Sequence, residues 1–96
     1  MPAHASSNER AARSRLTSAI AAEQSALDAL DRHDRTLAAA VREWSISGDG
    51  PPPPTYATAR SRLSADLAAA CADHRGALRQ LVSIMSAEAA GMAAGS

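Results

Sequence analysis

Phenylalanine and lysine are missing from this chain, and cysteine, tryptophan and tyrosine occur once each in 96 residues. A lone Cys71 closes no internal disulfide, so oxidative stapling is not what holds so short a chain together. Aromatic residues make up 2% of the sequence while 46% counts as hydrophobic, and most of that hydrophobic total is alanine. Alanine adds little buried area, and a chain of this length is already short of interior, so a monomer is expected to have a thin core. No window reaches the uninterrupted apolar length of a membrane span, and the N-terminal MPAHASSNERAARSRL has no apolar h-region. A cytoplasmic location without membrane insertion is expected, with export independent of a signal peptide left open. Excess charge is missing too, because ten basic residues, all arginine, balance ten acidic ones. Zero net charge argues against nucleic-acid binding, which normally shows a basic face. Arg10, Arg13 and Arg15 form the one basic cluster and read as a solvated first helical turn.

What is present favours helix. Glycine and proline are absent from Ser7 to Ser45, and steps of four and three link Leu16, Ile20, Glu23, Leu27, Leu30, Asp34, Leu37, Val41 and Trp44. That spacing keeps one stripe on one helical face, as in a coiled-coil seam. Tyr56, Leu63, Leu67, Ala70, His74, Leu78, Leu81, Met85 and Met92 follow nearly the same period, flanked by Cys71 and Ile84. Alanine at many remaining positions adds helix propensity. Ser6 and Glu9 have the spacing of a capping box, in which each side chain satisfies the other's backbone amide.

Between the halves, Gly48 and Gly50 permit backbone angles closed to other residues, and Pro51 to Pro54 lack amide hydrogens and prefer an extended conformation. Helix cannot pass through. Pro54 suits a first helical turn, and Thr55 is an alternative cap. The sequence thus predicts a single all-α domain: a disordered N-terminus over 1–6, a first helix over 7–45, a Pro/Gly-rich turn over 46–54, a second helix over 55–90 and a frayed end over 91–96. The connection is short enough for a long antiparallel helical hairpin, with helices of roughly 55 Å each and Trp44 and Tyr56 covering the end of the seam. Two rods enclose no core, so pairing into a four-helix bundle is expected, with itself or a related helical hairpin chain. The expected partner interface is Leu16, Ile20, Leu27, Leu30, Leu37, Val41, Trp44, Leu63, Leu67, Leu78, Leu81 and Met85. The four prolines read as a stiff spacer, with a ligand for an aromatic groove as the alternative.

Polar residues interrupt the stripe at Glu23, Asp34 and His74, with His33 beside Asp34. In a hairpin turning near residue 50, facing residue numbers sum to about 100, which sets His74 at the level of Leu27 and within one or two turns of Glu23 and Asp28. A carboxylate holding a seam histidine would fix register. The sharper alternative is metal, with Cys71 and His74 at i, i+3 and Glu23 on the facing helix. Against it stand the single cysteine and the absence of any Glu-x-x-His, so no metal and no cofactor is expected. Cys71 lies on an alanine-rich helix with no strained turn, and GDGPPPP puts prolines where phosphate-binding amides would have to point. No catalytic residue is assigned and no enzymatic activity is expected.

Length, two long Ala-rich helices, the missing signal peptide, Trp44 at the end of the first helix and a glycine soon after together resemble the Trp-x-Gly helical-hairpin family of type VII secretion substrates in actinobacteria and firmicutes. That resemblance implies a small dimeric secretion-associated protein. Here Gly48 follows Trp44 by four residues instead of two, and SAEAAGMAAGS lacks the family's tyrosine followed four residues later by an acid. Two other function classes stand beside it: an intracellular helical adaptor, chaperone or regulator, and a metal-binding helical bundle.

Overall fold

The computed structural model describes residues 6–95, and among them there are two helices and no strand: α1 over Ser7–Ser47 and α2 over Ala57–Gly95. They run antiparallel as a rod of 77 × 22 × 16 Å. The long antiparallel hairpin read from the sequence is therefore the fold of the chain. α1 begins as expected, with Ser6 as its N-cap accepting from the Glu9 amide at 3.0 Å. Only half of the capping box forms. The Glu9 carboxylate turns instead to Arg13, at 2.7 Å one helical turn on, and the Ser6 hydroxyl donates across the hairpin to Glu88. Of the N-terminal segment expected to be disordered, residues 1–5 lie outside the described residues, and Ser6 is held in place by these two bonds.

The inner face of α1 follows strict steps of three and four through Glu9, Ala12, Leu16, Ala19, Glu23, Ala26, Leu30, His33, Leu37, Ala40 and Trp44, each buried or half-buried. On α2 the same rule selects Leu63, Leu67, Ala70, His74, Ala77, Leu81, Ile84 and Glu88. This corrects the stripe expected from hydrophobicity. Ala19, Ala26, His33 and Ala40 face inward where Ile20, Leu27, Asp34 and Val41 were expected, and Ala77 and Ile84 take the places of Leu78 and Met85. The reason is steric: small residues at alternate seam positions let two helices approach closely, and the bulkier neighbours one residue on are turned to the flank.

The result is a seam with almost no interior. Among the described residues the buried apolar side chains are Ala12, Ala19 and Ala77, and no large side chain is fully buried. The chain exposes 7047 Å², against roughly 5,200 Å² expected for a compact protein of 9.9 kDa.

The connection differs from the sequence reading in one physical respect. Ser6 faces Glu88, Arg15 faces Gln80, Glu23 faces His74 and Asp34 faces Arg60. Residue numbers at one level thus add to about 95 instead of about 100. The loop accounts for the difference by running back beside the last turns of α1, where Pro53 and Tyr56 line one groove with His33, Leu37 and Ala40. Gly48, at φ 66°, closes α1 with its amide on the Trp44 carbonyl at 2.9 Å, so the helix runs two residues past the expected Ser45. Trp44 Nε1 then donates to the Gly50 carbonyl at 3.1 Å and pins the loop. α2 starts at Ala57, later than the expected residue 55, because the extended proline run is turned into helix at Tyr56, whose φ of 51° is left-handed. Tyr56 stays 57% exposed, so it does not cover the seam. At the other end α2 continues through Gly91 to Gly95 where fraying from residue 91 was expected; the alanines around Gly91 carry the helix past it.

The two kinds of glycine predict opposite effects. Gly48→Ala forces a Cβ into the left-handed region and should lower stability by about 1 kcal/mol, although nothing lies within 4 Å to clash with it. Gly91→Ala, helical and equally open, should raise stability by up to about 1 kcal/mol. Urea titrations followed by circular dichroism measure both.

Candidate functional site

Three features of the hairpin gather chemistry. The first is a polar pair inside the seam. His74 Nδ1 and Glu23 Oε2 are 2.8 Å apart, with side chains 32% and 22% exposed. The two residues occupy equivalent inner positions on facing helices, which is why the level estimate from the sequence brings them together. Cys71 is half-buried and free on the α2 flank next to the seam position Ala70. Among the described residues no three of His, Cys, Asp and Glu gather as a metal ion would need. Glu23 and His74 are thus in contact as a pair, and Cys71 joins no metal-holding group with them.

The second feature lies toward the closed end. Arg60 of α2 holds the Asp34 carboxylate of α1 through Nε at 3.0 Å and an amino group at 3.3 Å. The Arg60 hydrogen bond keeps the Asp34 carboxyl below the usual carboxylate range, against the opposing effect of desolvation and with a smaller contribution from His33. His33 Nδ1 stands 3.5 Å from Asp34, the edge of hydrogen-bonding distance, while its Nε2 is buried without a partner. The Tyr56 ring meets the His33 ring edge-on at 6.4 Å. His33 and Tyr56 border an open groove of about 650 Å³, lined otherwise by Ala29, Arg32, Thr36, Leu37, Ala40, Pro53 and Ala59. No sequence signal announced this groove, because it depends on the loop running back along α1.

The third feature is an asymmetry between the two long sides of the rod. On one side, Arg15 reaches across to Gln80 at 2.5 Å and Asp73 at 3.2 Å. These residues each precede a seam residue, Leu16, Leu81 and His74. Residues that follow the other seam set therefore lie on the opposite side. They include Ile20, Leu27, Val41, Leu78 and Met85, 41 to 46% exposed, and the half-buried Cys71, together with Arg13, Asp34 and Ser64. Val82, 53% exposed, and Met92, 76% exposed, extend the stripe along α2.

The residues expected at a partner interface thus divide into two groups. Leu16, Leu30, Leu37, Trp44, Leu63, Leu67 and Leu81 are half-buried in the seam within the chain, whereas Ile20, Leu27, Val41, Leu78 and Met85 are turned outward. The arginine cluster is partly spoken for: Arg13 pairs with Glu9 and Arg15 with Asp73. No helix among the described residues is long and apolar enough to cross a membrane. Comparison with known proteins adds no relative: the chain matches no family model, no curated protein and no solved structure.

Two predictions follow from the polar pairs. Glu23→Leu alone leaves His74 without its carboxylate in a half-buried site and should cost about 1 kcal/mol, while Glu23→Leu with His74→Leu should be neutral or stabilising. A double-mutant cycle by urea unfolding measures the difference. For Asp34, a carboxyl depressed in the folded state stabilises above its unfolded value of 3.8, and the contribution is lost as pH falls through the lower folded value. Melting curves should therefore show wild type above Asp34→Asn at pH 6, with the gap closing as pH falls below 3.8 and through the depressed folded value.

Proposed function

We propose that this chain is a non-enzymatic helical-hairpin module whose task is to pair with another helical hairpin, completing a four-helix bundle. The observation that carries this reading is the missing interior: among the described residues, three buried alanines and no fully buried large side chain in a rod two helices thick. Folding must offset the ordering of both helices, a cost of about 1 to 2 kcal/mol per residue in backbone entropy. A seam of small side chains contributes little against that, and a second hairpin supplies the apolar area that is wanting. Nothing in the sequence supplies a strained nucleophile, a phosphate loop or a metal-ligand set, which supports binding over catalysis.

A small secretion-associated protein of the type VII kind is the narrower form of this reading. Its support is the hairpin itself and the position of Trp44 in the last turn of α1, where it anchors the loop through Gly50. The four-residue step from Trp44 to Gly48 is the helix-closing step of this chain, with the glycine amide on the Trp44 carbonyl. It replaces the two-residue step of the family's turn.

Sedimentation equilibrium of the purified chain tests the reading. The expected mass is a multiple of 9.9 kDa above one copy, either alone or after co-expression with a co-encoded hairpin chain. Leu30→Asp places a charge in the seam and should abolish helicity and association together. A Leu30→Asp chain that stays fully helical as a single copy would refute obligate pairing.

A further inference from the structure

We infer that the side of the rod bearing Ile20, Leu27, Cys71, Leu78, Val82 and Met85 is the face on which a second copy of this chain seats, leaving the Arg15–Asp73 side and the groove at His33 outside the contact. The inference rests on the pairing module proposed above and adds which face is used and what covers it.

Three observations carry it. The two long sides of the hairpin are chemically unlike. One is crossed by charged and amide side chains, Arg15 to Asp73 and Gln80, and the other carries, between Arg13 and Asp34 along α1, large aliphatic and thioether side chains that are 41% exposed or more around the half-buried Cys71. A hairpin that used its Arg15 side for pairing would have to desolvate an arginine and an aspartate already satisfied within the chain, which is unfavourable without new partners. On the other side the Arg13–Glu9 and Asp34–Arg60 ion pairs stand on either side of Ile20 and Leu27 along α1, and the aliphatic side chains between them lose only water.

Area is the second observation. From Leu27 to Ser6 on α1, facing the stretch of α2 that ends at Glu88, this side runs roughly 30 Å. Across a rod 22 Å wide that is a footprint of about 700 Å², close to the roughly 800 Å² per partner of an ordinary stable interface. The chain's surface also exceeds that of a compact protein of its mass by about 1,800 Å². One face of this size removes a large part of that excess.

Charge is the third. The chain carries ten acidic and ten basic residues, so two copies meet without net repulsion. The paired arrangement places four helices around a shared apolar layer and leaves the small-residue seams where they are.

The experiment uses the intact chain. Wild type should sediment as two copies, and Cys71 should react with a maleimide several-fold more slowly at concentrations where the dimer is populated than after dilution. Ile20→Glu with Leu78→Glu should give a single copy with the weak helicity of dilute wild type, because both side chains lie outside the seam and their loss removes only the partner's contribution. Thr36→Glu, on the groove side, should still form the dimer. If wild type dimerises yet Cys71 reacts equally fast in both states, or the Ile20→Glu, Leu78→Glu chain still dimerises, the face is wrong while the pairing module stands. If wild type is a single copy that folds on its own at every concentration, both fail. If it pairs only with a different hairpin chain, the pairing module stands and the second copy is excluded.

Discussion

Close approach of two helices through alanine is the constraint from which the rest of this structure follows. Ala12, Ala19, Ala26 and Ala40 on α1 and Ala70 and Ala77 on α2 occupy inner positions where a globular protein would place leucine or phenylalanine. Small side chains bring the backbones together and give good van der Waals contact, but they bury little area. Each bulky side chain that follows an inner alanine is then pushed to the flank. Ile20, Leu27 and Leu78 are exposed for the same reason that Ala19, Ala26 and Ala77 are not. The thin core and the apolar outer face are two consequences of one packing choice.

Such a seam is slippery unless something fixes its register, since one alanine is much like the next. The polar residues serve that purpose. Ser6 to Glu88, Glu23 to His74 and Asp34 to Arg60 tie the rod near its open end, its middle and its closed end. A shift by one heptad would separate all three pairs at once. Their individual stabilities are modest, because each is partly reached by water, yet together they discriminate between alignments that apolar packing alone treats as equivalent. The loop completes the alignment: Trp44 holds Gly50, and the extended prolines lay Tyr56 beside His33 before α2 begins.

Much of this was legible in the sequence. The uninterrupted span from Ser7 to Ser45, the proline run and the capping serine predict two long antiparallel helices, and the shared period places His74 near Glu23. The inner face was only half legible. Leu16, Glu23, Leu30, Leu37 and Trp44 fall on it as expected, but hydrophobicity selects Ile20 over Ala19 as the next inner residue, and the preference for close backbone approach is invisible to a scale that ranks alanine low. The groove at His33 was not legible, because it depends on how far the loop folds back along α1. Nor was the left-handed backbone at Tyr56, since no residue other than glycine or asparagine signals that conformation in advance. The partner of the proposed pairing is written in neither the motifs nor the spacing; the chemistry of the exposed stripe is what speaks to it.

The central claim is that α1 and α2 hold too little apolar area to remain folded without a partner. Thermal unfolding followed by far-ultraviolet circular dichroism, repeated over about a hundredfold range of protein concentration, tests it most directly. The midpoint should climb steadily as the protein is concentrated, and helicity should be weak in the most dilute sample. A sharp transition at high temperature that does not move with concentration, from a species with the mass of one chain, would contradict the account.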